Sequence, residues 1–461
     1  MSNNRKTWLI RPHDPLIFRD GRPFGPTPGA RAHSLAFPFP STTAGGVRTQ
    51  AKTNAEGIFD LGTNDKEKVE KQLTELKALQ IYGPLLVETA DREQRPLEPA
   101  ALLVPAPLDA LLLQPKKSAG QHEVIVSQLV PLQDEDGALA DLPLTRRKQE
   151  EKASHPFYLV GQAAYVQNKP FSGAPRYWYW ERFLRWLEEP QALKEAIWDA
   201  RQLGHNGPEQ EQRVHVGIDS SKRSGLDGAL FDTHGMEFHQ EHRLFRRGEN
   251  SPWEDAKAVQ RRDLDRLSVE EKKGIKWNSY IAPLALAVAV ESEPETTETQ
   301  LRAGLNCFGG ERRIVSWKSH QTPFPPCPDT LKQCIVERGC CRLILLTPGY
   351  FADLLRPEVF GAQAACQIQL RALATQRPQV VSGYDMALKQ RKQTRRLAPA
   401  GTVFYLDLRG NDKATIAAWI ERTWMRNVSD GRQECLDGFG LAVLGTWSGD
   451  PEKLVIKEKQ A

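Results

Sequence analysis

The last third of the chain alternates apolar runs with helical stretches in a regular order. Four segments rich in aliphatic, β-branched or aromatic residues predict buried strands: 341–347, 379–384, 401–406 and 439–447. Two segments with apolar residues at helical spacing predict helices: 363–375 and 413–428. The resulting β-α-β-β-α-β order predicts a ferredoxin-like module, in which two helices cover one face of an antiparallel sheet.

A stretched version of the same order lies upstream. Its predicted strands are 8–12, 214–218, 229–231 and 281–291. Its first helix is expected to begin with Ser41 as the N-cap and to end near Ala55, and a second helical region is expected before Gly304. Residues at about 55–205 hold too many prolines and charges for one element. They are interpreted as an insertion with an exposed helix near 66–79.

Four prolines within residues 321–328 indicate a linker between these two parts. The sequence therefore predicts an α+β protein with two modified ferredoxin-like (RRM-like) βαββαβ modules. The first is 1–325, which carries the insertion at about 55–205, and the second is 326–461.

Composition narrows the class of protein. Hydrophobic residues make up 40% and charged residues 26% of the 461 residues, which excludes disorder throughout. No stretch reaches the 18 or so uninterrupted apolar residues that cross a bilayer, and the first residues lack the apolar core of a secretion signal. We therefore expect a soluble cytoplasmic protein with no membrane partner. The net charge of +4 is too small to demonstrate a nucleic-acid partner by itself.

Seven cysteines occur without a CxxC pair, and five of them lie at irregular spacing between 307 and 341. A zinc site usually takes two close pairs of ligands, so reduced buried thiols are the favoured interpretation and structural zinc is the alternative.

The loop between the first strand and the first helix is the first candidate for a ligand site. It concentrates arginines around a turn dipeptide, and its backbone amides face a helix N-terminus, which favours phosphate binding. A solvated surface turn is the alternative. The candidate RNA-binding residues of the loop and helix are Arg19, Asp20, Gly21, Arg22, Arg31, Ser41, Thr42, Thr43 and Arg48.

Three further segments combine glycines or cations. A glycine pair beside two arginines, at an expected helix-to-strand turn, permits close ligand approach and bidentate phosphate contacts: Gly309, Gly310, Arg312 and Arg313. An arm without a compensating acid favours a polyanion: Lys389, Arg391, Lys392, Arg395 and Arg396. A segment before the last strand allows close approach, and its Phe could stack on a base: Gly438, Phe439 and Gly440. Ordinary turns, a solubilising loop and glycine packing are the respective alternatives.

Motifs for enzymatic activity are missing from the sequence. It contains no GxxxxGK[ST], no GxGxxG after a strand, no HExxH and no GxSxG. His13 or His33 could act as a general base in RNA cleavage, although a lone loop histidine is more often a polar surface residue. The histidines near 234–242 do not predict a metal site.

Several segments together resemble a known family. They are Asp14–Phe24, Phe39–Arg48, Tyr82–Leu85, Leu103–Asp109, His215–Asp219, Gly228–Phe231, Gly309–Arg312 and Pro399–Val403. In this order they are similar to the third subunits of the Cmr complex, the type III-B CRISPR effector, which form a family in the RAMP superfamily. The Gly438–Gly440 segment and the residues after it depart from the usual glycine-rich loop of that superfamily.

The resemblance implies two modified ferredoxin-like modules and a non-catalytic RNA-binding subunit of an antiviral ribonucleoprotein. It further implies binding of the 5′ tag of the CRISPR RNA, docking on the large polymerase-like subunit and on backbone RAMP subunits, and indirect contact with target RNA. No cofactor and no metal are expected. The alternatives are a RAMP endoribonuclease that processes precursor CRISPR RNA and, from an unrelated class, a metal-dependent enzyme.

Three tryptophans lie close together in the segment 176–186, namely Trp178, Trp180 and Trp186. They predict either an aromatic anchor for a partner subunit or an amphipathic helix packed on the N-terminal module.

Overall fold

A computed structural model describes most of the chain. The described residues are 5–19, 31–32, 34–54, 57–89, 102–116, 122–133, 157–164, 167–193, 197–248, 251, 254–255, 268–291, 301–360, 366–385 and 390–453. Strands outnumber helices in these ranges, which agrees with the predicted α+β class. Within them, no helix is both long enough and apolar enough to cross a membrane.

The strands and helices follow one another in a mixed order. The strands up to residue 247 are β1 (Arg5–Pro12), β2 (Arg31–Ala32), β3 (Gln80–Glu88), β4 (Leu102–Pro105), β5 (Ala110–Leu113), β6 (Glu123–Gln128), β7 (Val130–Gln133), β8 (Leu159–Gly161), β9 (Tyr177–Tyr179), β10 (Ile197–Asp199), β11 (Gly204–His205), β12 (Glu209–Asp219), β13 (Ser224–Glu237) and β14 (His239–Arg247). The later strands are β15 (Glu254–Asp255), β16 (Ile275–Glu291), β17 (Gly304–Cys307), β18 (Ile314–His320), β19 (Cys340–Leu345), β20 (Gly349–Tyr350), β21 (Gln369–Ala374), β22 (Gln379–Asp385), β23 (Gln390–Ala398), β24 (Val403–Asp407), β25 (Arg426–Asn427), β26 (Leu441–Thr446) and β27 (Glu452–Lys453). The helices are α1 (Pro40–Ala51), α2 (Lys66–Ala78), α3 (Trp180–Glu188), α4 (Ala200–Leu203), α5 (Val269–Lys273), α6 (Asp329–Arg338), α7 (Lys413–Thr423) and α8 (Arg432–Asp437).

The largest sheet contains ten strands and is built around β16. The second half of β16, an apolar run from Leu284 to Val290, pairs with β1 on one side and with β3 on the other. Its side chains are buried throughout, as expected for a central strand that is covered on both faces. The central strand order is β18-β1-β16-β3.

A second sheet of five strands lies in the C-terminal part, in the order β21-β24-β19-β26-β25. Its central strand, β19, is fully buried and antiparallel to both neighbours. These strands repeat the order of the large sheet. In β18-β1-β16-β3 and in β26-β19-β24-β21, the strand that comes fourth in the chain lies beside the first, the first beside the third, and the third beside the second. The two complete ferredoxin-like modules nevertheless stay a prediction.

Two predictions for the C-terminal part need correction. The helix expected over 363–375 is wrong where it is described, because Gln369–Ala374 forms β21 on the edge of the sheet. Burial against β24 there outweighs the helix propensity of alanine, leucine and glutamine. The helix expected over 413–428 ends at Thr423, because Met425 adopts a positive φ of 51° and the chain turns into β25.

The N-terminal part differs more from expectation. The strands near 214–218 and 229–231 exist as β12 and β13, but they pair with each other and with β2 in a separate sheet. The centre of the large sheet is instead formed by β1, β3, β16 and β18, so residues 281–291, expected as the last strand of the module, are followed by a further strand, β18. Helix α1 begins two residues earlier than expected. Phe39 is its N-cap and Pro40 is its first residue, where the missing amide hydrogen costs nothing. The helix expected before Gly304 falls largely outside the described residues.

Residues assigned to the insertion contribute to the large sheet. Strands β3, β4, β9 and β11 all belong to it, and they extend it away from β16 on the side opposite β1. The segment 321–328 contains no strand or helix and joins β18 to α6. The boundaries of the two modules stay a prediction.

The three tryptophans of segment 176–186 are buried. Trp178, Trp180 and Trp186 belong to one apolar cluster with Leu343 and Leu444 of the C-terminal sheet. The prediction that they anchor a partner subunit is therefore wrong, and their aromatic surface instead joins the insertion to the second sheet.

A buried ion pair lies in this shared core. Arg342 on β19 and Asp109, in the turn before β5, are both fully buried and form a salt bridge. The Arg342 Nε donates to the Thr446 carbonyl at 2.8 Å, and its Nη2 donates to the Trp186 carbonyl at 2.6 Å. The Trp186 Nε1 donates to the second oxygen of Asp109 at 2.9 Å. The network joins the insertion, helix α3 and the C-terminal sheet.

We predict that Asp109→Ala lowers the free energy of unfolding by about 3 to 5 kcal/mol, because it leaves the Arg342 guanidinium charged, buried and unpaired. Glu421→Ala is the matched control, since it removes an exposed pair with Lys332 and should barely change stability. Urea unfolding followed by tryptophan fluorescence measures both variants. Equal midpoints for the two variants would contradict the importance of the buried pair.

Candidate nucleic-acid interface

A cleft of about 620 Å³ lies where the N-terminal sheet, the insertion and the C-terminal part meet. Most of its walls are apolar or aromatic, with Arg176, Gln376 and Gln379 among the polar side chains. The lining comes from residues within 35–40, 84–86, 105–110, 174–177, 346–348 and 399–400, together with the two glutamines.

Four of the segments that carry the family resemblance reach this cleft. They are Phe39–Arg48, Tyr82–Leu85, Leu103–Asp109 and Pro399–Val403. Close backbone packing brings the last two together, since the Leu108 amide donates to the Gly401 carbonyl at 2.8 Å. Gly401 has a φ of 87°, and a Cβ there would lie 2.4 Å from the Ala106 carbonyl oxygen. Only glycine fits this contact.

The N-terminus of α1 opens at the cleft. Phe39 and Pro40 line it, and the helix has no side-chain cap. Among the predicted contact residues of this turn, Ser41 and Thr42 are partly exposed, whereas Thr43 is fully buried. The unpaired amides of a first turn attract anions. Pro40 has no amide hydrogen, and the Thr42 amide donates to the Phe39 carbonyl at 2.9 Å. The turn can therefore offer the Ser41 amide and the hydroxyls of Ser41 and Thr42, but not the side chain of Thr43.

The Gly438–Gly440 segment packs beside this helix start. Gly438 has a φ of 100°, and a Cβ there would lie 2.6 Å from the Gly83 carbonyl oxygen and 3.5 Å from Pro40. The Thr347 hydroxyl donates to the Gly438 carbonyl at 2.8 Å. The close approach permitted by this glycine is therefore to the protein backbone.

Phe439 is fully buried in a small cluster with Phe39, Tyr350, Val381 and Leu397. The hypothesis that this ring stacks on a base is wrong for the described structure, because no face of the ring reaches solvent. Its packing instead fixes the base of the β22–β23 hairpin against the start of α1.

Two of the predicted cations have structural partners. The Arg48 Nε donates to the Leu76 carbonyl at 2.8 Å, and its Nη2 lies 2.7 Å from Asp437, which ties α1 to α2 and α8. Arg395 forms an ion pair with Glu434 on α8 and lies over the Phe439 ring. These contacts engage both guanidinium groups within the protein.

The rest of the cationic arm is more open. Arg396 is exposed and Lys392 is half-buried on β23. Arg391 is described by its backbone alone, paired with Tyr384, and Lys389 lies outside the described residues. Among the described cations of the arm, Arg396 and Lys392 are therefore accessible to a ligand. The arm itself packs beside the Gly438–Gly440 segment.

The Gly309–Arg313 segment lies apart from this group of residues. It joins strands β17 and β18, so it is a strand-to-strand connection and not the expected helix-to-strand turn. The Gly310 amide donates to the Ile17 carbonyl at 2.7 Å, and the close approach at Gly309 is to the same carbonyl. Arg313 pairs with Glu311 at 3.0 Å, whereas the neighbouring Arg312 adopts a positive φ of 52°.

The arginine loop is only partly described. Arg19 forms an isolated bridge with Ser34, and the backbone of Arg31 pairs with Asp232. The remaining predicted residues of this loop lie outside the described residues: Asp20, Gly21, Arg22 and His33. Arg19 follows Ile17 by two residues, and the Ile17 carbonyl contacts Gly309 and Gly310. Arg19 therefore lies near the Gly309–Arg313 segment.

Candidate catalytic groups are dispersed over the described part of the chain. His13 is exposed, and the neighbouring Asp14 accepts from the Ile314 amide at 3.2 Å. No three His, Cys, Asp or Glu side chains within the described ranges are arranged to hold a metal ion.

A histidine cluster was missed by sequence analysis. His205 and His242 each place Nε2 3.2 Å from the same oxygen of Glu88, which also accepts from the Tyr179 hydroxyl at 2.9 Å. The Gly207 amide donates to Nδ1 of His205 at 2.9 Å. The proton of the neutral imidazole is therefore on Nε2, which suits a contact with a carboxylate and not metal ligation.

Sequence analysis also missed an exposed apolar surface on the β12–β13 hairpin. Val214, Val216 and Ile218 alternate along β12, and Leu230 lies opposite Val216. Each of these four side chains is between 52 and 67% exposed. The period-2 alternation in the sequence predicts a strand at 214–218, but it does not show whether the apolar face is buried or exposed.

The buried side chain of Tyr82 helps to join the N-terminal and the C-terminal parts beside the cleft. The Tyr82 hydroxyl donates to Glu291 at 2.7 Å, and Arg426 of the C-terminal part contacts the same carboxylate at 2.6 Å. Burial, followed by the hydrogen bond to Glu291, raises the pKa of Tyr82 to about 12. The phenol therefore stays protonated and keeps donating at neutral pH.

Comparisons with known proteins give one family. The model described as CRISPR-associated protein (Cas_Cmr3) matches residues 8–447. No curated protein matches the chain. A chain of the solved structure "Cryo-EM structure of the Type III-B Cmr-beta bound to cognate target RNA and AMPPnP, state 1" is 15% identical, with 87% of this chain and 86% of that chain covered and a TM-score of 0.38. A chain of "Cryo-EM structure of the Type III-B Cmr-beta bound to cognate target RNA" is 16% identical, with the same coverage and a TM-score of 0.37.

We predict that Gly438→Ala destabilises the protein by about 1 to 3 kcal/mol more than Gly410→Ala. Both glycines have positive φ angles, 100° and 112°, but a Cβ at Gly410 would meet nothing within 4 Å. The control therefore carries the backbone strain without the collision with Gly83. Melting temperatures of the two variants measure the difference, and a Gly410→Ala variant that is equally destabilised would contradict the proposed contact.

Proposed function

The chain belongs to the Cas_Cmr3 family of CRISPR-associated proteins, and we propose that it anchors the 5′ tag of the CRISPR RNA in a type III-B ribonucleoprotein of antiviral defence. The match over residues 8–447 confirms the resemblance inferred from the sequence. In this proposal the subunit binds RNA and docks on the large polymerase-like subunit and on the backbone subunits, and it contacts target RNA only indirectly.

The observation that carries the proposal is the convergence of four family-like segments on one cleft. Its volume of about 620 Å³ exceeds what a lone phosphate needs, and its mostly apolar walls suit unstacked bases. Gln376 and Gln379 can donate to and accept from base edges. The cleft thus combines a surface for bases with a few polar groups that can orient them.

Groups for the sugar-phosphate backbone lie at the same place. The first turn of α1 can offer the Ser41 amide and the hydroxyls of Ser41 and Thr42 to a phosphate, and Arg176 is an exposed cation at the lining. Arg396 and Lys392 lie on the hairpin whose base packs on Phe39 through Phe439. A single strand held at the cleft could therefore continue along this hairpin, with its phosphates near these side chains.

The strand orders support the finer fold assignment. Both sheets place the first strand between the third and the fourth, and the second strand beside the third, as a ferredoxin-like module does. We infer that the residues from β4 to β11 and the β22–β23 hairpin are additions to these two modules, whereas β3, although it lies within 55–205, is the second strand of the first module. In each case the added residues border the cleft.

We further propose that this subunit positions RNA and does not cleave it. The Asp14 carboxylate contacts the Ile314 amide, so it does not orient the imidazole of His13 as a catalytic carboxylate would. Burial limits access to the imidazoles of His205 and His242. Neither arrangement favours the endoribonuclease alternative.

Docking on another subunit needs exposed apolar surface, which the β12–β13 hairpin has. Val214, Val216 and Leu230 share one face of it, and Ile218 is exposed further along β12, beyond an irregularity in the register. Clusters of this kind on a soluble protein mark interaction sites. We propose that this face packs on a neighbouring subunit of the complex.

We predict that the purified protein prefers tagged over untagged CRISPR RNA and that Arg176→Gln weakens this binding by about tenfold. If Arg176 contacts a phosphate, the variant also lowers the slope of log Kd against log salt by about 0.7. Lys71→Gln on α2 is the matched control, because it removes an exposed charge away from the cleft lining. Fluorescence polarisation over a salt series measures both effects.

Equal binding of tagged and untagged RNA by the wild type, alone and with the large subunit, would contradict tag anchoring. The RNA recovered from the same reactions should be intact. Cleavage that His13→Ala abolishes while binding persists would instead favour the endoribonuclease.

We predict that Ile218→Ser lowers incorporation of the subunit into the reconstituted complex while leaving its melting temperature unchanged, since the side chain is 67% exposed. Ile58→Ser is the control, because Ile58 is 61% exposed in another part of the chain. Size-exclusion chromatography of the assembled complex measures incorporation. Equal incorporation of both variants would contradict a docking role for the hairpin.

A further inference from the structure

Strands β14 and β16 form an arm that leaves the large sheet. Among the strands that the structure describes, residues 275–283 of β16 pair with β14, in an antiparallel register that runs from Ile275 opposite Arg247 to Pro283 opposite His239. Pairing of β16 with β3 begins at Leu284, and pairing with β1 begins at Leu286. Helix α5 closes the outer end, where the Gly248 amide donates to the Gly274 carbonyl at 3.1 Å.

One face of this arm presents a tryptophan to solvent. Trp277 is 55% exposed. Its ring contacts the buried ring of Phe245, with 5.8 Å between the ring centroids and 46° between the ring planes. Phe245 lies directly opposite Trp277 in the register. The indole ring is therefore held by a neighbouring aromatic ring while much of its surface stays exposed, and this exposed surface can stack on a base.

Counted with β15, the arm around Trp277 holds six Lys or Arg and five acidic residues, so its excess of cations is small. Arg247 shares the face of Trp277, since it lies opposite Ile275 in the register. Residues 239–248 and 268–283 contain six Lys or Arg side chains and three Glu side chains, and Arg247, Lys273 and Lys276 are exposed. Two of the glutamates, Glu270 and Glu271, lie on α5, and Glu271 accepts from the Ser268 amide at 2.8 Å to cap the helix. The short β15, Glu254–Asp255, adds two acids on the other edge of β14.

We propose that Trp277 and its neighbouring cations form a second contact for single-stranded RNA, separate from the cleft. The inference rests on the proposed RNA-binding function. An exposed aromatic ring beside lysines and arginines is the combination that holds single strands without sequence preference, since every base has a stacking face and every nucleotide a phosphate. A purely apolar protein contact would not need the cations.

Binding of an oligouridylate without the tag tests this contact in the full-length protein. We expect Trp277→Ala to weaken binding by about fivefold or more and Trp277→Phe to stay within about twofold of the wild type. Ile281→Ala is the matched control, because Ile281 is 61% exposed four residues further along the same strand and has no ring to stack. It should also stay within about twofold. Unchanged binding by Trp277→Ala, or an equal loss in Ile281→Ala, would overturn the inference.

The ratio of tagged to untagged binding separates this inference from the proposed function. Trp277→Ala should lower both affinities and preserve their ratio. If the wild type shows no tag preference but Trp277→Ala still loses oligouridylate binding, tag anchoring fails and the second contact stands. A wild type that binds the tag and shows no effect of Trp277→Ala overturns the second contact alone. A wild type that binds neither RNA overturns both.

Discussion

The buried pair of Arg342 and Asp109 fixes how the parts of this protein meet. Neither charge reaches solvent, so each depends on the other and on the hydrogen bonds from Trp186 and to Thr446. An isolated charge at this depth would be very costly, and a pair held by several hydrogen bonds is tolerated only in one geometry. The insertion and the C-terminal sheet are therefore held in one relative orientation, and the cleft between them has a defined shape.

The same constraint explains why structural and binding residues occur in the same segments. Asp109 ends the segment Leu103–Asp109, and Pro105, Ala106 and Leu108 of that segment line the cleft. Tyr82 contacts Glu291 across the sheet, while Pro84 and Leu85, two and three residues later, face the opening. A family-like segment can therefore hold the cleft together with one residue and line it with the next. Resemblance alone does not separate the two roles.

Sequence patterns predicted the elements best where local signals and burial agree. Strands β19, β24 and β26 and helix α7 have apolar runs or helical spacing that packing then satisfies. The pattern failed at β21, whose residues favour a helix but fill the edge of a sheet. It also failed for one partner of β16, because β3 lies nearly 200 residues away in the chain, within the residues interpreted as an insertion. Pairing over such distances depends on tertiary contacts that local periodicity does not encode.

The candidate site was predictable in outline, while the role of each cation was not. Cation runs and glycine pairs pointed to the start of α1, to the arm at 389–396 and to Gly438–Gly440, and the structure brings these three together. Within them, Arg48 and Arg395 are held by acids, whereas Arg396 remains exposed. An arginine whose carboxylate partner lies far away in the sequence looks the same as a free one in a composition count. Net charge is therefore a poor guide to RNA binding in this chain. The positions of the exposed cations around the cleft and near Trp277 are more informative.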